Sequence, residues 1–332
     1  MKVHRAWKIL FFSLLVIVLI LGYFANQFTP SPQPAFGISF SAPYAEYLGF
    51  DPMNVYLDIL NDLQPKKIRL MAYWEMIEPT PRLFTFDFLD KMLVEAQQRQ
   101  VEIILVVGEK QPRWPECHRP GWVNDLSVSQ REEAELSMIR QAVEHFKPFT
   151  AIKIWQIGNE PFFAFGLDCQ KTNKQQAQAQ IALVKGLDDR PVMVTDSGEK
   201  GLWIPTARLG ADIFGSTMYR VVNDHRFGYV KYPIPPVYFR IKAGILKVVA
   251  KQDRIIGVEL QAEPWFSQDL FQTDLSTQLA LMNPKIFAQN IDYARRVGFE
   301  ENYLWGAEWW YWLAKKQRDF GMWATAKELL RK

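Results

Sequence analysis

Ile152-Lys-Ile-Trp-Gln-Ile-Gly158, followed at once by Asn159-Glu160-Pro161, is the stretch that decides the fold. An apolar, β-branched run closed by glycine and an acidic turn reads as a buried strand that delivers a carboxyl group just past its C-terminal end. A second stretch of the same kind, Arg254-Ile-Ile-Gly-Val-Glu-Leu-Gln-Ala-Glu-Pro-Trp265, follows about 100 residues later and carries Glu259 and Glu263. Carboxyls presented by separate strands at one end of a parallel barrel mark its catalytic face.

Outward from these two runs, short apolar segments alternate with longer amphipathic ones. Strands are expected at Phe36–Phe40, Lys67–Ala72, Val101–Val107, Ala151–Ile157, Pro191–Thr195, Asp212–Met218, Arg254–Glu259 and Asn302–Gly306. Helices are expected at Phe86–Arg99, Gln130–Phe146, Lys171–Gly186, Val237–Ala250, Pro284–Val297 and Gly321–Arg331, with shorter ones after the first and fifth strands. Eight alternations in the 297 residues from Phe36 onward predict an α/β fold, a (β/α)8 TIM barrel. The competing architecture, a doubly wound open sheet, usually carries a glycine-rich phosphate turn after its first strand. Here that turn reads Ser39-Phe-Ser-Ala-Pro-Tyr44 and has no such pattern.

Composition is that of a globular protein, with 48% hydrophobic and 23% charged residues. The net charge of +3 resides in Lys2, Arg5 and Lys8; the other 36 basic residues equal the 36 acidic ones in number. The folded part is thus neutral, and no nucleic-acid partner is expected. Ile9–Ala25 holds 17 residues without a charge, roughly 26 Å of helix, near the lower limit for spanning a bilayer. Basic residues before it and none directly after it predict a cytoplasmic N-terminus and an extracytoplasmic barrel, or a secreted protein if the segment is cleaved. The expected organisation is a tail over 1–8, a transmembrane signal anchor over 9–25, a Pro-rich linker over 26–35 and the barrel over 36–332. Outside the cytoplasm the two cysteines, Cys117 and Cys169, are candidates for a disulfide closing a 52-residue interval, with two buried thiols as the alternative. Such a bond would stabilise by roughly 4 kcal/mol on the chain-entropy model.

The two carboxyl-bearing strands suggest glycosidic bond cleavage, which needs paired carboxyl groups. Glu160 suits the general acid, a role that requires a raised pKa. Asn159 beside it offers an amide to the 2-hydroxyl of a sugar, a contact that tightens in the transition state. Glu259 is the preferred nucleophile. Glu263 lies four residues on, in the loop, to contact a more distant sugar or to be solvated. Most of the 12 tryptophans fall near strand ends, where flat aromatic faces cover pyranose rings. Glu109, His118, His225 and Glu308 are further candidates for substrate contacts. The histidines show no ligand spacing and no serine-hydrolase elbow is present, so neither metal nor cofactor is expected.

With these residues the chain resembles the clan of retaining (β/α)8-barrel glycoside hydrolases that includes cellulases, mannanases and β-galactosidases. The likeness rests on Asn159-Glu160-Pro161 after strand four and Glu259 ending strand seven. Ile68-Arg69-Leu70, Tyr73-Trp-Glu-Met-Ile-Glu-Pro79, Phe86-Asp-Phe-Leu-Asp90 and Pro112-Arg-Trp-Pro115 are similar to the clan's intervening segments. The resemblance implies that Arg69 supports the nucleophile, that Tyr219 bonds it, and that Trp305 floors the sugar site, with Trp309 as the alternative floor. Physically, Arg69 is a fixed cation that keeps a neighbouring carboxylate ionised, and Tyr219 is a hydrogen-bond donor to the same group. Thr217 stands where many members of the clan have a histidine, and Gly108-Glu109 replaces another after strand three. The expected activity is double-displacement hydrolysis of β-glycosidic bonds in an oligo- or polysaccharide. Transglycosylation on the same barrel and a non-catalytic, membrane-tethered carbohydrate-binding barrel are the rivals.

Overall fold

The computed structural model describes residues 2–331 apart from 168, 170, 171, 225, 267 and 268, with side chains from residue 11 onward. Eight parallel strands close into a barrel: β1 (Ala35–Phe40), β2 (Lys67–Met71), β3 (Glu102–Val107), β4 (Ile152–Ile157), β5 (Val192–Asp196), β6 (Ile213–Met218), β7 (Arg254–Gln261) and β8 (Glu301–Trp305). Every neighbouring pair is consecutive in the chain, and β1 pairing with β8, Gly37 opposite Tyr303, shuts the ring. Expected and observed strands agree within two residues.

The strands read as apolar runs because both faces are covered. Ile104, Ile154, Met193, Ile213, Ile256, Val258 and Tyr303 fill the interior. The opposite faces pack on the surrounding helices in the larger outer core. Those helices are Asp87–Gln98, Val128–Phe146, Lys174–Leu187, Pro236–Ala250, Pro284–Val297 and Gly321–Leu330. Ser127 and Gln130 start the second of them with a reciprocal capping box. One element was not expected: a hairpin after β6, Val221–Asp224 against Gly228–Lys231.

A register irregularity in β7 positions the chemistry. Ser216 of β6 pairs with Gly257 and Thr217 with Glu259; on the other side Asn302 pairs with Gly257 and Leu304 with Leu260. Both neighbours therefore meet one extra residue on β7, a bulge. Ile256 and Val258 belong to the interior layer, so strict alternation would turn Glu259 outward to the helices. The bulge returns it to the mouth, a common use of this irregularity beside active sites.

The N-terminal helix spans Lys2–Gln27. Its end meets the helix Pro236–Ala250 so closely that a Cβ on Gly244 would stand 1.7 Å from the Phe24 carbonyl oxygen. The apolar side chains from Phe11 to Leu21 are exposed, Phe11 at 70%. The sequence places a membrane anchor here, at Ile9–Ala25. Among the described residues no helix is long and apolar enough to cross a membrane. The side chains of the 1–8 tail lie outside the described residues. The linker is docked rather than free: Phe28 meets Phe299 edge-on at 5.8 Å, and the Ser31 N–H donates to the Gly298 carbonyl at 2.7 Å.

Candidate active site

Glu160 and Glu259 lie at the C-terminal mouth of the barrel, and Arg69 bonds Glu259 and Asn159, the residue before Glu160. That guanidinium is fully buried on β2. Its Nη1 donates to Glu259 Oε1 at 3.0 Å, its Nη2 to Asn159 Oδ1 at 3.2 Å and its Nε to Gln156 Oε1 at 2.8 Å. The other oxygen of Glu259 accepts from the Tyr219 hydroxyl at 2.9 Å. Both oxygens of Glu259 are thus held by donors, one cationic and one phenolic, and Tyr219 itself leans edge-on against Trp265 at 5.1 Å.

Glu160 sits in a left-handed backbone conformation, φ 44°, unusual for a residue with a Cβ and found where structure over-determines it. Here its N–H donates to Thr195 Oγ1 at 2.9 Å, and its carbonyl accepts from Lys110 Nζ at 3.0 Å. Burial, then the charges of Glu259 and Glu116, push its carboxyl well above the ordinary range. A protonated carboxyl near neutral pH is the state a general acid needs.

Asn159 is oriented from both ends. Its Oδ1 accepts from Arg69 and from Thr195 Oγ1 at 3.1 Å, while its Nδ2 donates to Glu116 Oε2 at 3.1 Å. Glu116 was not foreseen. It is buried, has φ 74°, and its carboxyl is pushed up to about 8, first by burial and then by Glu259. Its neighbour Cys117 is bonded to Cys169, Cα to Cα 5.5 Å, so the expected disulfide is present. It ties the loop after β3 to the loop after β4.

Glu263 is not solvated. It exposes 6% of its surface and pairs with Arg113, which also reaches Glu308 at 3.5 Å. In both glutamates burial outweighs the lowering by Arg113: the Glu263 carboxyl is raised, and that of Glu308 lies at about 7. The Arg113 guanidinium stacks 4.1 Å from the centroid of Trp305, the expected sugar floor. Trp309 lies outside this network, fully buried with its indole N–H donating to Gln278 at 3.0 Å. Glu109 is held by Arg119 at 2.8 Å, and His118 Nε2 stands 2.9 Å from the Arg113 carbonyl oxygen. Both hold loops in place. His225 lies outside the described residues. Where the clan's histidine is missing, Thr217 Oγ1 donates to Glu199 Oε2 at 3.2 Å, and Glu199 also accepts from the Tyr219 N–H at 2.6 Å.

Sequence reasoning therefore missed Glu116, Arg113, Lys110, Thr195 and Glu199. The segment Glu109-Lys-Gln-Pro-Arg-Trp-Pro-Glu-Cys117 did carry a signal, a charged stretch ending in a candidate disulfide cysteine. Which of its side chains turn inward depends on the positive φ angles of Arg113 and Glu116, and no periodic pattern encodes those.

No protein-family model and no curated protein sequence matches this chain. Solved structures do. A family 39 glycoside hydrolase from Bacteroides cellulosilyticus WH2 matches with TM-score 0.52 and 16% identity over 82% of this chain and 56% of that one. An exo-β-1,4-mannosidase from Opitutaceae bacterium strain TAV5 matches with TM-score 0.57 and 16% identity over 82% and 51%. The chain thus spans about half the length of these two proteins. Xylanase 10B from Thermotoga maritima matches with TM-score 0.57 and 14% identity over 93% of this chain and 97% of that one. At such identities the likeness establishes the fold, the barrel of these glycoside hydrolases.

Proposed function

We propose that this chain is a retaining β-glycosidase acting on an oligo- or polysaccharide. The observation that carries the reading is the pairing of Glu160 with Glu259: two carboxyls from β4 and β7 at one mouth, the first raised by burial and by the charge of the second, the second held by Arg69 and Tyr219. Glu259 attacks the anomeric carbon as the glycosidic C–O bond breaks, and Glu160 gives its proton to the departing oxygen. Glu160, now ionised, takes a proton from water whose oxygen displaces Glu259. Asn159, fixed at both ends, faces the 2-hydroxyl. The barrel is further proposed to lie outside the cytoplasm, anchored by Ile9–Ala25. The uncharged run, its exposed apolar side chains and the disulfide support that placement. Release of the protein from cells by salt washing, without detergent, would count against the anchor.

A 2-deoxy-2-fluoro β-glycoside with a good leaving group should label Glu259 covalently, read by peptide mass spectrometry. A label on Glu263 reassigns the nucleophile; no label with any such glycoside refutes the mechanism and favours a binding barrel. Glu160→Ala should lower kcat by about 10²–10⁴-fold. Azide should restore part of that loss by yielding the β-glycosyl azide.

Transglycosylation remains the second reading because aromatic rings flank the Glu160 side. Phe165 contacts Trp114 at 6.1 Å and Trp265 at 5.6 Å, a surface suited to an acceptor sugar. Product masses larger than the substrate would select it.

A further inference from the structure

Resting on that glycosidase reading, we propose that the enzyme is exo-acting: the glycone side of its mouth is a closed wall, in which Arg113 and Glu263 read the hydroxyls of a terminal, unsubstituted sugar. The direction follows from the barrel. The leaving group departs on the side of its acid, Glu160, after β4. In a closed ring of eight strands the strand opposite β4 is β8, flanked by β7 and β1. The sugar retained on Glu259 therefore extends toward β7, β8 and β1.

That side is stitched shut. Glu308, after β8, accepts from the Ser41 N–H after β1. Ser41 Oγ lies 2.8 Å from the hydroxyl of Tyr73 after β2, which donates to the Pro112 carbonyl after β3 at 3.1 Å. Arg113 crosses from the same β3 loop and lodges between Glu263 and Glu308, 3.8 Å from the ring centroid of Tyr44 and 4.1 Å from that of Trp305. Ser41, Tyr73, Glu263 and Glu308 each expose 6% or less, so among the described residues these contacts close this side of the mouth.

Two buried atoms in this wall have no partner in the protein: the Arg113 Nε donor and the Glu263 Oε2 acceptor. An unmet buried polar atom costs about 1–3 kcal/mol. Here one is a donor and the other an acceptor, on the two members of a single ion pair. Hydroxyls at the far end of a terminal sugar, O4 and O6, supply the acceptor and donor that both require. Arg113 also holds φ 90°, a strained backbone of the kind that gathers at ligand clamps.

The test compares 4-nitrophenyl β-glucoside, β-mannoside and β-galactoside with their 4,6-O-ethylidene derivatives, whose two hydroxyls are capped. For each parent the wild type hydrolyses, capping should lower kcat/KM by about 100-fold or more. Reducing-end-labelled β-1,4 gluco- and mannohexaoses should lose single sugars from the unlabelled end. Arg113→Ala should slow the parent and narrow the gap between parent and capped substrate by about tenfold. Capped substrates turned over as fast as their parents, or internal cleavage of the hexaoses, overturns exo action while leaving the glycosidase standing. Both readouts use the wild type, so they hold even where Arg113→Ala does not fold. No turnover of any parent or hexaose sinks the glycosidase reading and this inference with it.

Discussion

On the flank formed by β7, β8 and β1 the mouth is joined by buried charge and stacked rings; on the flank formed by β3 and β4 it is joined by a disulfide. The first flank has Arg113 between two glutamates and two aromatic rings, almost without exposure. The second carries Trp114 at 60% exposure and Leu167 at 57%, in loops tied together by Cys117–Cys169. A buried charge is tolerated only where its partners are fixed, so the first flank must be rigid to exist at all. A covalent tie demands no such fit and lets the side chains around it stay open to solvent. The rigid flank suits recognition of one sugar and the open flank suits leaving groups of varied size.

The largest effect should come from removing Arg69, the β2 cation that bonds Glu259 of the rigid flank. Arg69→Met leaves Glu259 buried without its cation, which is expected to cost about 3–5 kcal/mol of unfolding free energy in urea, together with nearly all activity. A loss under 1 kcal/mol would show that water reaches this site and that the contrast between the flanks is overdrawn. Next, Cys117→Ser with Cys169→Ser should cost about 2–4 kcal/mol on the open side. If the disulfide only ties loops, kcat on a small aryl glycoside should fall less than after Arg69→Met. An equal fall would mean that Glu116, beside Cys117, needs the tie in order to hold Asn159. Tyr219→Phe is smaller still: one hydrogen bond to Glu259 lost, about 1 kcal/mol, read as a several-fold lower kcat with the fold intact.

The same contrast explains what the sequence could and could not disclose. Strands β1 to β8 were legible because both faces are buried and leave unbroken apolar runs. Glu160 was legible because it ends such a run, and Arg69 through the resemblance of Ile68-Arg69-Leu70 to the clan's second strand. Glu259 was found at the right place for an incomplete reason: it lies inside β7, and a bulge that no pattern announces turns it inward. The wall was not legible. Arg113 and Glu116 stand in a non-repeating loop where positive φ angles, not periodicity, aim the side chains. Glu308 and Glu263 read as candidate substrate contacts, but only the closed ring brings them to one arginine. The hairpin after β6 was missed because four-residue strands with mixed polarity carry little alternation.

The smallest effect separates the flanks by pH. Glu116 on the disulfide side has its carboxyl at about 8, and Glu308 in the wall at about 7, both raised first by burial. Glu116 faces the carboxyl of Glu259 and the cations of Lys110 and Arg69; Glu308 faces Arg113 and Glu263. A carboxyl raised in the folded state binds more protons there than in the unfolded chain, so stability falls as pH rises between the two pKa values. Its contribution is complete below about pH 4.5 and is lost as pH passes the folded value. Glu116→Gln and Glu308→Gln should each flatten part of the decline in urea midpoint from pH 5 upward. The flattening should extend to about pH 8 for the first and end near pH 7 for the second. Profiles of both variants parallel to wild type would mean that neither carboxyl is held protonated. Identical flattening by the two would erase the electrostatic difference between the flanks, because the two acids would then titrate alike despite the different charges around them.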